Sequence, residues 1–465
     1  MEFILVTAKI TILLSGIMFT GVIVERSIFH KYEANLYASF IIGVSIIYSF
    51  SLLGLKLSNI VIFIYTINLI GFYKFRKILF KINIDKYLLL ISLPIMIAIS
   101  FQMVWYWDAV VNWFFHAKVI AYANKFSMAN IYQFPADQIV PADQIDLYGS
   151  IPLFQSNMLL PGIFNGSPAA GQPYPKMLPV LSALVSEITS VHNEALPKSS
   201  MLYLLFGVLL GFSEVNCFNS KEKRFIFFIL FGLMGIHSFS GYLDGWLSIY
   251  ATLCCLFMIN FKKGMQERDI INCICSLCFL PMMKNEGLVL ALVLLLILAL
   301  GNIYFLISIN NLVHRIEIIM LVLLPTIIWT YFKFKLNFRQ HYFSSGESMI
   351  DRLHHRLVFE IDNIIYHFLI FSNLIYPLIF VLFVIYLLKS NKIKFNNYVW
   401  IPVKISIIYL SILIIIYLIA ESDIIVFLSQ GIRRTSMPII MMLYIFSFMV
   451  LKELKIYDNL IKHSR

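Results

Sequence analysis

Charged residues are scarce in this chain. Asp, Glu, Lys and Arg together make up 13% of its 465 residues, whereas hydrophobic residues make up 60% and the mean hydropathy is +0.84. Soluble domains carry about 25% charged residues, because their surfaces must be hydrated. The composition therefore excludes a soluble globular protein and predicts a polytopic membrane protein.

Acidic residues are scarcer than basic ones, at 25 against 36, which gives a formal net charge of +11. A basic surplus can indicate nucleic-acid binding, but here the Lys and Arg residues form short clusters between apolar runs, as in the cytoplasmic loops of membrane proteins. We therefore expect membrane lipids as partners and no nucleic acid. The clusters are Lys74–Lys86, Lys221–Arg224, Lys262–Arg268 and Lys389–Lys394, followed by the C-terminal tail.

The long polar segments lack cysteine. All six cysteines lie in or beside apolar runs: Cys217, Cys254, Cys255, Cys273, Cys275 and Cys278. This distribution predicts no structural disulfide. The spacing from Cys273 to Cys278 resembles a zinc motif, but no further His or Cys completes a tetrahedral set, so core packing is the better interpretation.

About thirteen apolar runs are long enough, or nearly so, to cross about 30 Å of hydrocarbon. They lie at 3–24, 34–55, 57–73, 87–105, 199–217, 225–240, 245–261, 270–283, 287–309, 317–335, 364–388, 399–420 and 437–451. The first run lacks a basic leader and a small-residue cleavage site, so we expect it to be a retained helix. The predicted fold is an all-α polytopic protein of the cell (inner, cytoplasmic) membrane.

The basic clusters orient these runs. If the clusters are cytoplasmic, residues 106–198 form a large outer loop, the N-terminus is outside and the C-terminus is inside. We expect the loop to carry membrane-surface helices, with an apolar segment before Val191 that dips into the membrane or lies on it. The chain then divides into three N-terminal transmembrane helices at 1–86, a core at 87–335, and C-terminal helices with outer loops at 336–465.

The segment Trp105–Lys118 leaves an apolar run and enters this loop. As a helix it places Asp108, Asn112 and His116 on one face, because residues four apart are neighbours. The alternative is an interfacial helix in which Trp and Phe lie at headgroup depth. Asp108 would then have no role beyond a favourable interaction with the positive end of the helix dipole.

The loop also contains a short near-repeat with acidic residues at Asp137, Asp143 and Asp146. These carboxylates could hold Ca²⁺, but their spacing matches no calcium-loop signature. We expect no metal or other cofactor, although a divalent cation stays an alternative.

Other polar groups fall at the outward ends of apolar runs. They are Tyr174-Pro175-Lys176, Tyr242-Leu243-Asp244, Lys284-Asn285-Glu286-Gly287 and the pair Arg433-Arg434, in a predicted turn before the last run. Adjacent charges near membrane depth are costly unless they face water, each other or a ligand. For Arg433, Arg434 and the basic residues around Arg352 and Arg356, headgroup contact is an alternative.

Four motifs follow one another over about 87–310: an acid just after a span (Asp108), Tyr174-Pro175-Lys176, Tyr242-Leu243-Asp244 and Lys284-Asn285-Glu286-Gly287. Their order resembles that in the bacterial integral-membrane glycosyltransferases of the GT-C fold. Relatives include protein O-mannosyltransferases and the aminoarabinose transferase that modifies lipid A. This chain differs in having three extra spans before the acid and a single Tyr-Pro where many relatives have paired prolines.

The resemblance implies an inverting transferase that moves a sugar from a polyprenyl-phosphate carrier to a glycan, lipid or protein at the outer (periplasmic) face. Asp108 would be the general base, Asp244 would orient the acceptor or Lys284, and His116 would assist. Lys284, Arg433 and Arg434 would bind the donor phosphate. Further substrate contacts would come from Asn112, Tyr174, Lys176 and Glu286.

Two other functions stay open. An O-antigen-type polymerase would also use polyprenyl-linked sugars, but as pyrophosphates and with arginines in two later loops. A lipid or sugar transporter or flippase would need polar groups inside several spans or broken helices in matching halves. In this sequence the charges concentrate at the outward ends and no repeat of spans is visible.

Overall fold

The computed structural model describes residues 2–28, 35–79, 84–101, 115–126, 174–191, 196–264, 266–306, 312–335, 349–390, 396–419 and 424–453. These residues form helices joined by short connections, and no β-strand occurs among them. The prediction of an all-α fold is therefore confirmed for the described part of the chain.

Eighteen α-helices are described, and we number them in chain order. They are α1 Glu2–Ile28, α2 Leu36–Leu52, α3 Leu57–Leu79, α4 Lys86–Phe101, α5 Phe115–Tyr122, α6 Met177–Thr189, α7 Met201–Glu214, α8 Ser220–Met234, α9 Asp244–Gly264, α10 Glu267–Met283, α11 Asn285–Leu306, α12 Leu312–Lys335, α13 Met349–His355, α14 Ile361–Ser372, α15 Ile375–Ser390, α16 Ile401–Ile419, α17 Ile424–Thr435 and α18 Met437–Glu453. Short 3₁₀ turns precede α7 and α16 and follow α8, and a π-helical turn, Arg356–Glu360, joins α13 to α14.

Six of these helical regions are long and apolar enough to span a membrane: α1, α3, α9, α12, α16 with its preceding turn, and α18 with the end of α17. Shorter apolar segments lie in α2, α4, α6, α11 and α15. The chain is thus a membrane protein, as predicted, and the number of about thirteen spans stays a prediction.

The antiparallel pair α9 and α10 lies at the centre and defines two ends of the bundle. Residues Asp244 to Phe261 of α9 are all buried. At one end Asp244 contacts Lys284, which follows α10. At the other, the Asn260 amide donates to Asp269 Oδ1 over 3.1 Å. We call these the Asp244 end and the Asn260 end.

The first helices pack closely because glycines face the neighbouring backbone. A Cβ atom on Gly21 would overlap the carbonyl of Ser39, and one on Gly43 would overlap that of Ile17. Small residues allow this approach, which is typical of packing between membrane helices.

Two buried carboxylates at the Asn260 end have structural partners. Glu25 accepts from the backbone N–H of Asn35 over 3.0 Å, and Glu214 accepts from that of Tyr37 over 3.3 Å and pairs with Arg268 at 3.0 Å. Both acids therefore satisfy N–H groups at the start of α2, which have no partner within the helix.

The structure differs from the predicted single run at 364–388, which is divided into α14 and α15. Asn373 has a φ of 56°, and this left-handed conformation ends a helix because asparagine tolerates it better than most residues. The connection is fixed by the Ser436 hydroxyl, which donates to the Ser372 carbonyl over 2.9 Å.

The turn predicted at Arg433 and Arg434 is also wrong, since both residues lie in the last turn of α17. Leu428 and Ile432, four residues apart, are fully buried and give this helix an apolar face. Twelve of the thirteen residues of α6 are buried against α1, α3, α5 and neighbouring elements. The segment before Val191 is therefore packed among helices, and its course, dipping into the membrane or lying on it, stays a prediction.

The alternative of headgroup contact is wrong for Arg352 and Arg356, because each is only 8% exposed. Arg352 Nε donates to the Ile419 carbonyl over 3.2 Å, and Arg356 donates to the carbonyls of Tyr417 and Leu418 over 3.0 Å each. These arginines therefore cap the last turn of α16, whose carbonyls lack partners within the helix.

Candidate functional site

The Asp244 end is organised around a one-residue break between α10 and α11. Lys284 has extended backbone angles, φ −158° and ψ 157°, so the helix ends at Met283 and a new one begins at Asn285. Gly287 allows α11 to fold back closely, because a Cβ atom there would overlap the Leu280 carbonyl. The break brings the Lys284 side chain to the start of α9.

Lys284 is held between two carboxylates. Its Nζ lies 2.6 Å from Asp244 Oδ1 and 3.4 Å from Glu286 Oε1, and its side chain is 9% exposed, against 5% for Asp244 and 28% for Glu286. The Nζ also lies 5.7 Å from the ring centre of Tyr174. Three of the four polar motifs in the sequence therefore meet at one cation.

A second cation reaches the same place from α17. The guanidinium of Arg434 stacks 5.0 Å from the ring centre of Tyr242, and the edge of the His237 ring contacts Tyr242 with centroids 5.4 Å apart. Arg434 is partly exposed and Arg433 is exposed. The two adjacent arginines thus have different surroundings, and Arg434 is the one next to the Asp244–Lys284 pair.

The electrostatics keep the lysine charged and the histidine neutral. Burial alone would lower the pKa of Lys284, but the carboxylates of Asp244 and Glu286 hold it well above its usual range. Burial lowers the pKa of His237, and the charges of Arg434, Arg433 and Lys284 lower it further against the opposing effect of Asp244. A fixed ammonium therefore lies near a neutral imidazole.

Lys176 and His116 form a second pair that precedes α6. Lys176 Nζ lies 3.0 Å from His116 Nδ1 and 5.7 Å from the ring centre of Trp329, and its backbone N–H donates to the Tyr48 hydroxyl over 2.8 Å. Burial lowers the pKa of Lys176 well below its usual range. Tyr174, two residues earlier, connects this pair to Lys284.

We compared the chain with protein-family models, with curated proteins and with solved structures. None of the three comparisons found a match.

The structure brings most of the predicted site residues into two neighbouring groups. One contains Tyr174, Asp244, Lys284, Glu286 and Arg434, and the other contains His116 and Lys176. Arg433 lies at the edge of the first group.

Other predictions lie outside the described residues. Asp108 and Asn112 do, and so do the three loop carboxylates considered for Ca²⁺. Within the described part of the chain, no three His, Cys, Asp or Glu side chains are placed to hold a metal ion.

Sequence reasoning did not select His237, Tyr242 and Lys333 as site residues. Lys333, near the end of α12, donates to Asn285 Oδ1 over 3.2 Å. The available signals were a histidine interrupting an apolar run and a tyrosine two residues before Asp244.

The site has more cations than carboxylates. With Lys333 and Arg433 included, four cations accompany the carboxylates Asp244 and Glu286: Lys284, Lys333, Arg433 and Arg434. This group has the charge to bind an anion at the end of a membrane-spanning bundle.

Proposed function

We propose that this protein is an inverting membrane glycosyltransferase of the GT-C type, which moves a sugar from a polyprenyl-phosphate carrier to a cell-envelope acceptor at the outer face of the membrane. The observation that carries the proposal is the convergence of Tyr174, Asp244, Lys284 and Arg434 at one end of the helices. These residues come from distant parts of the sequence, and such a cluster is costly to bury without a function.

The cations suit the leaving group. As the bond between sugar and phosphate breaks, negative charge grows on the lipid phosphate, and fixed cations in a partly buried site stabilise that charge. Lys284 is fixed by two carboxylates, and Arg434 is fixed on the ring of Tyr242. Of the two arginines, Arg434 is the better candidate, because it lies beside Asp244 and Lys284 whereas Arg433 is exposed. Its guanidinium can bind phosphate bidentately.

Asp108 is the proposed base, and it would accept the proton of the acceptor hydroxyl as that oxygen attacks the anomeric carbon. The new carbon–oxygen bond forms on the face opposite the phosphate, the old bond breaks, and the electron pair leaves with the lipid phosphate. One displacement inverts the anomeric configuration. His116 would assist from its position beside Lys176.

The polymerase alternative gives most weight to arginines in two later loops. In one of these loops Arg352 and Arg356 are engaged by the carbonyls of α16, which leaves less reason to assign them to a pyrophosphate. This observation favours the transferase over the polymerase.

The test compares two classes of donor. Purified protein in nanodiscs is incubated with an envelope extract as acceptor and with either radiolabelled polyprenyl-phosphate monosaccharides or a radiolabelled polyprenyl-pyrophosphate oligosaccharide. Label entering the acceptor from the monophosphate, with release of polyprenyl phosphate, is the expected result. Polymer formed from the pyrophosphate would support the polymerase. Movement of either lipid across the bilayer of sealed proteoliposomes, without bond cleavage, would support a transporter.

A further inference from the structure

Two buried polar atoms beside the Asp244–Lys284 pair have no hydrogen-bond partner among the described residues. They are Nδ1 of His237 and Oε2 of Glu286. Glu286 contacts Lys284 through its other oxygen, so one acceptor is left over. More than about 90% of buried polar groups in proteins are paired, and an unpaired atom at a site therefore calls for an explanation.

The chemistry of the two atoms limits what they can bind. The low pKa of His237, caused by burial and by Arg434, Arg433 and Lys284, keeps its ring neutral near pH 7, so one nitrogen donates and the other accepts. An ionised Glu286 oxygen only accepts, and it repels phosphate. A hydroxyl group, which both donates and accepts, satisfies either atom.

The imidazole is held in place. Its edge contacts the Tyr242 ring, which also stacks with Arg434. Gly245 leaves room for it, since a Cβ atom there would lie 3.3 Å from the His237 Cβ and 2.8 Å from the Met234 Cε. A fixed side chain of this kind can select between ligands, because little conformational freedom is lost on binding.

We propose that His237 and Glu286 bind hydroxyl groups of a monosaccharide whose phosphate is bound by the neighbouring cations. This inference rests on the proposed function and assigns the two residues to recognition of the transferred sugar. Lys284 and Arg434 then bind the carrier phosphate, while Nδ1 of His237 and Oε2 of Glu286, next to these cations, bind hydroxyl groups of the attached sugar.

The experiment separates the sugar from the phosphate by using two kinds of probe. Dissociation constants are measured in nanodiscs for bare polyprenyl phosphate and for polyprenyl phosphates carrying glucose, mannose, galactose or 4-aminoarabinose. The wild-type protein is compared with His237→Leu and Glu286→Gln. The matched controls are His314→Leu and Glu317→Gln, whose exposed side chains lie in α12 near the Asn260 end, where Arg315 pairs with Glu267.

The wild type should prefer one of the glycosylated carriers over the bare carrier. His237→Leu and Glu286→Gln should each reduce that preference about tenfold, because a site that bonds a hydroxyl is left with fewer partners. For His237→Leu, affinity for the bare carrier should stay within about twofold. For Glu286→Gln it should stay equal or rise, because a charge that repels phosphate is removed next to Lys284. The control variants should match the wild type. His237→Asn should keep part of the preference, because its amide lies close to the position of Nδ1.

Three results would contradict the inference. Equal losses for glycosylated and bare carriers would place the two residues at the phosphate and leave the proposed function standing. An unchanged preference in both variants, with normal thermal stability, would remove their role in sugar recognition. A wild-type protein that binds neither kind of carrier would overturn the proposed function and the inference together.

Discussion

Replacing Lys284 with methionine removes the cation that contacts the buried carboxylate of Asp244 at 2.6 Å. Removing one partner of a buried ion pair costs about 3–5 kcal/mol, because the other charge is left without compensation. The charge of Arg434 also acts on Asp244, so we expect Lys284→Met to cost about 3 kcal/mol, the lower end of that range.

Replacing the other partner of the pair, Asp244, should lower the free energy of unfolding by less. Asp244→Asn keeps an oxygen that can accept from Lys284, and Lys284 keeps Glu286 at 3.4 Å. The expected cost is about 1–2 kcal/mol, the value for a weakened buried hydrogen bond. In the double variant no charge of the pair is left unpaired, so its cost should fall short of the sum of the single costs by about 2 kcal/mol.

The assay is the free energy of unfolding in mixed micelles, obtained by SDS titration of the wild type, the two single variants and the double variant. Lys404→Met and Asp351→Asn, which change the same charges at exposed positions, serve as controls and should change stability little. Single-variant costs that add to within about 0.5 kcal/mol would refute the coupling inferred from the geometry.

Three further predictions follow from individual positions. Arg434→Lys should lower kcat/KM for sugar transfer about tenfold, while Arg433→Lys should change it little, because Arg434 stacks on Tyr242 and acts on Asp244, whereas Arg433 is exposed. Equal effects would contradict the distinction. Gly287→Ala should lower the free energy of unfolding by about 1–3 kcal/mol, whereas Gly232→Ala, which has open space around it, should not. A cysteine at Ser150 should react with a membrane-impermeant maleimide in intact spheroplasts, and protection until lysis would reverse the predicted topology.

Apolar runs predicted most helices well, because a long hydrophobic stretch is stable in the membrane only with its backbone hydrogen bonds made internally. The run at 57–73 corresponds to α3 and that at 245–261 to α9. The division of 364–388 was missed because apolarity continues through the break, and only the left-handed Asn373 reveals it.

The sequence could predict Asp244 and Lys284 on the same side, since both stand at ends of neighbouring runs that the predicted topology turns in the same direction. It could not predict the contact between them, which depends on how α9 packs against α10. Arg352 and Arg356 illustrate the same limit, because composition does not reveal that carbonyls of α16 lie within reach. Local sequence patterns predict the side of the membrane on which a charged residue lies, whereas its contact partner depends on tertiary structure.

The transfer rate of Asp108→Asn tests the central claim most directly. The measurement is single-turnover transfer of labelled sugar from polyprenyl phosphate, with Asp351→Asn as an exposed control and thermal unfolding recorded for both variants. The asparagine keeps the volume of Asp108 but cannot accept the proton, so we predict a loss of about 10²–10⁴ in rate with unchanged stability. If Asp108 only caps its helix, transfer should persist at the wild-type rate and stability should fall by about 1 kcal/mol, and that result would contradict the account.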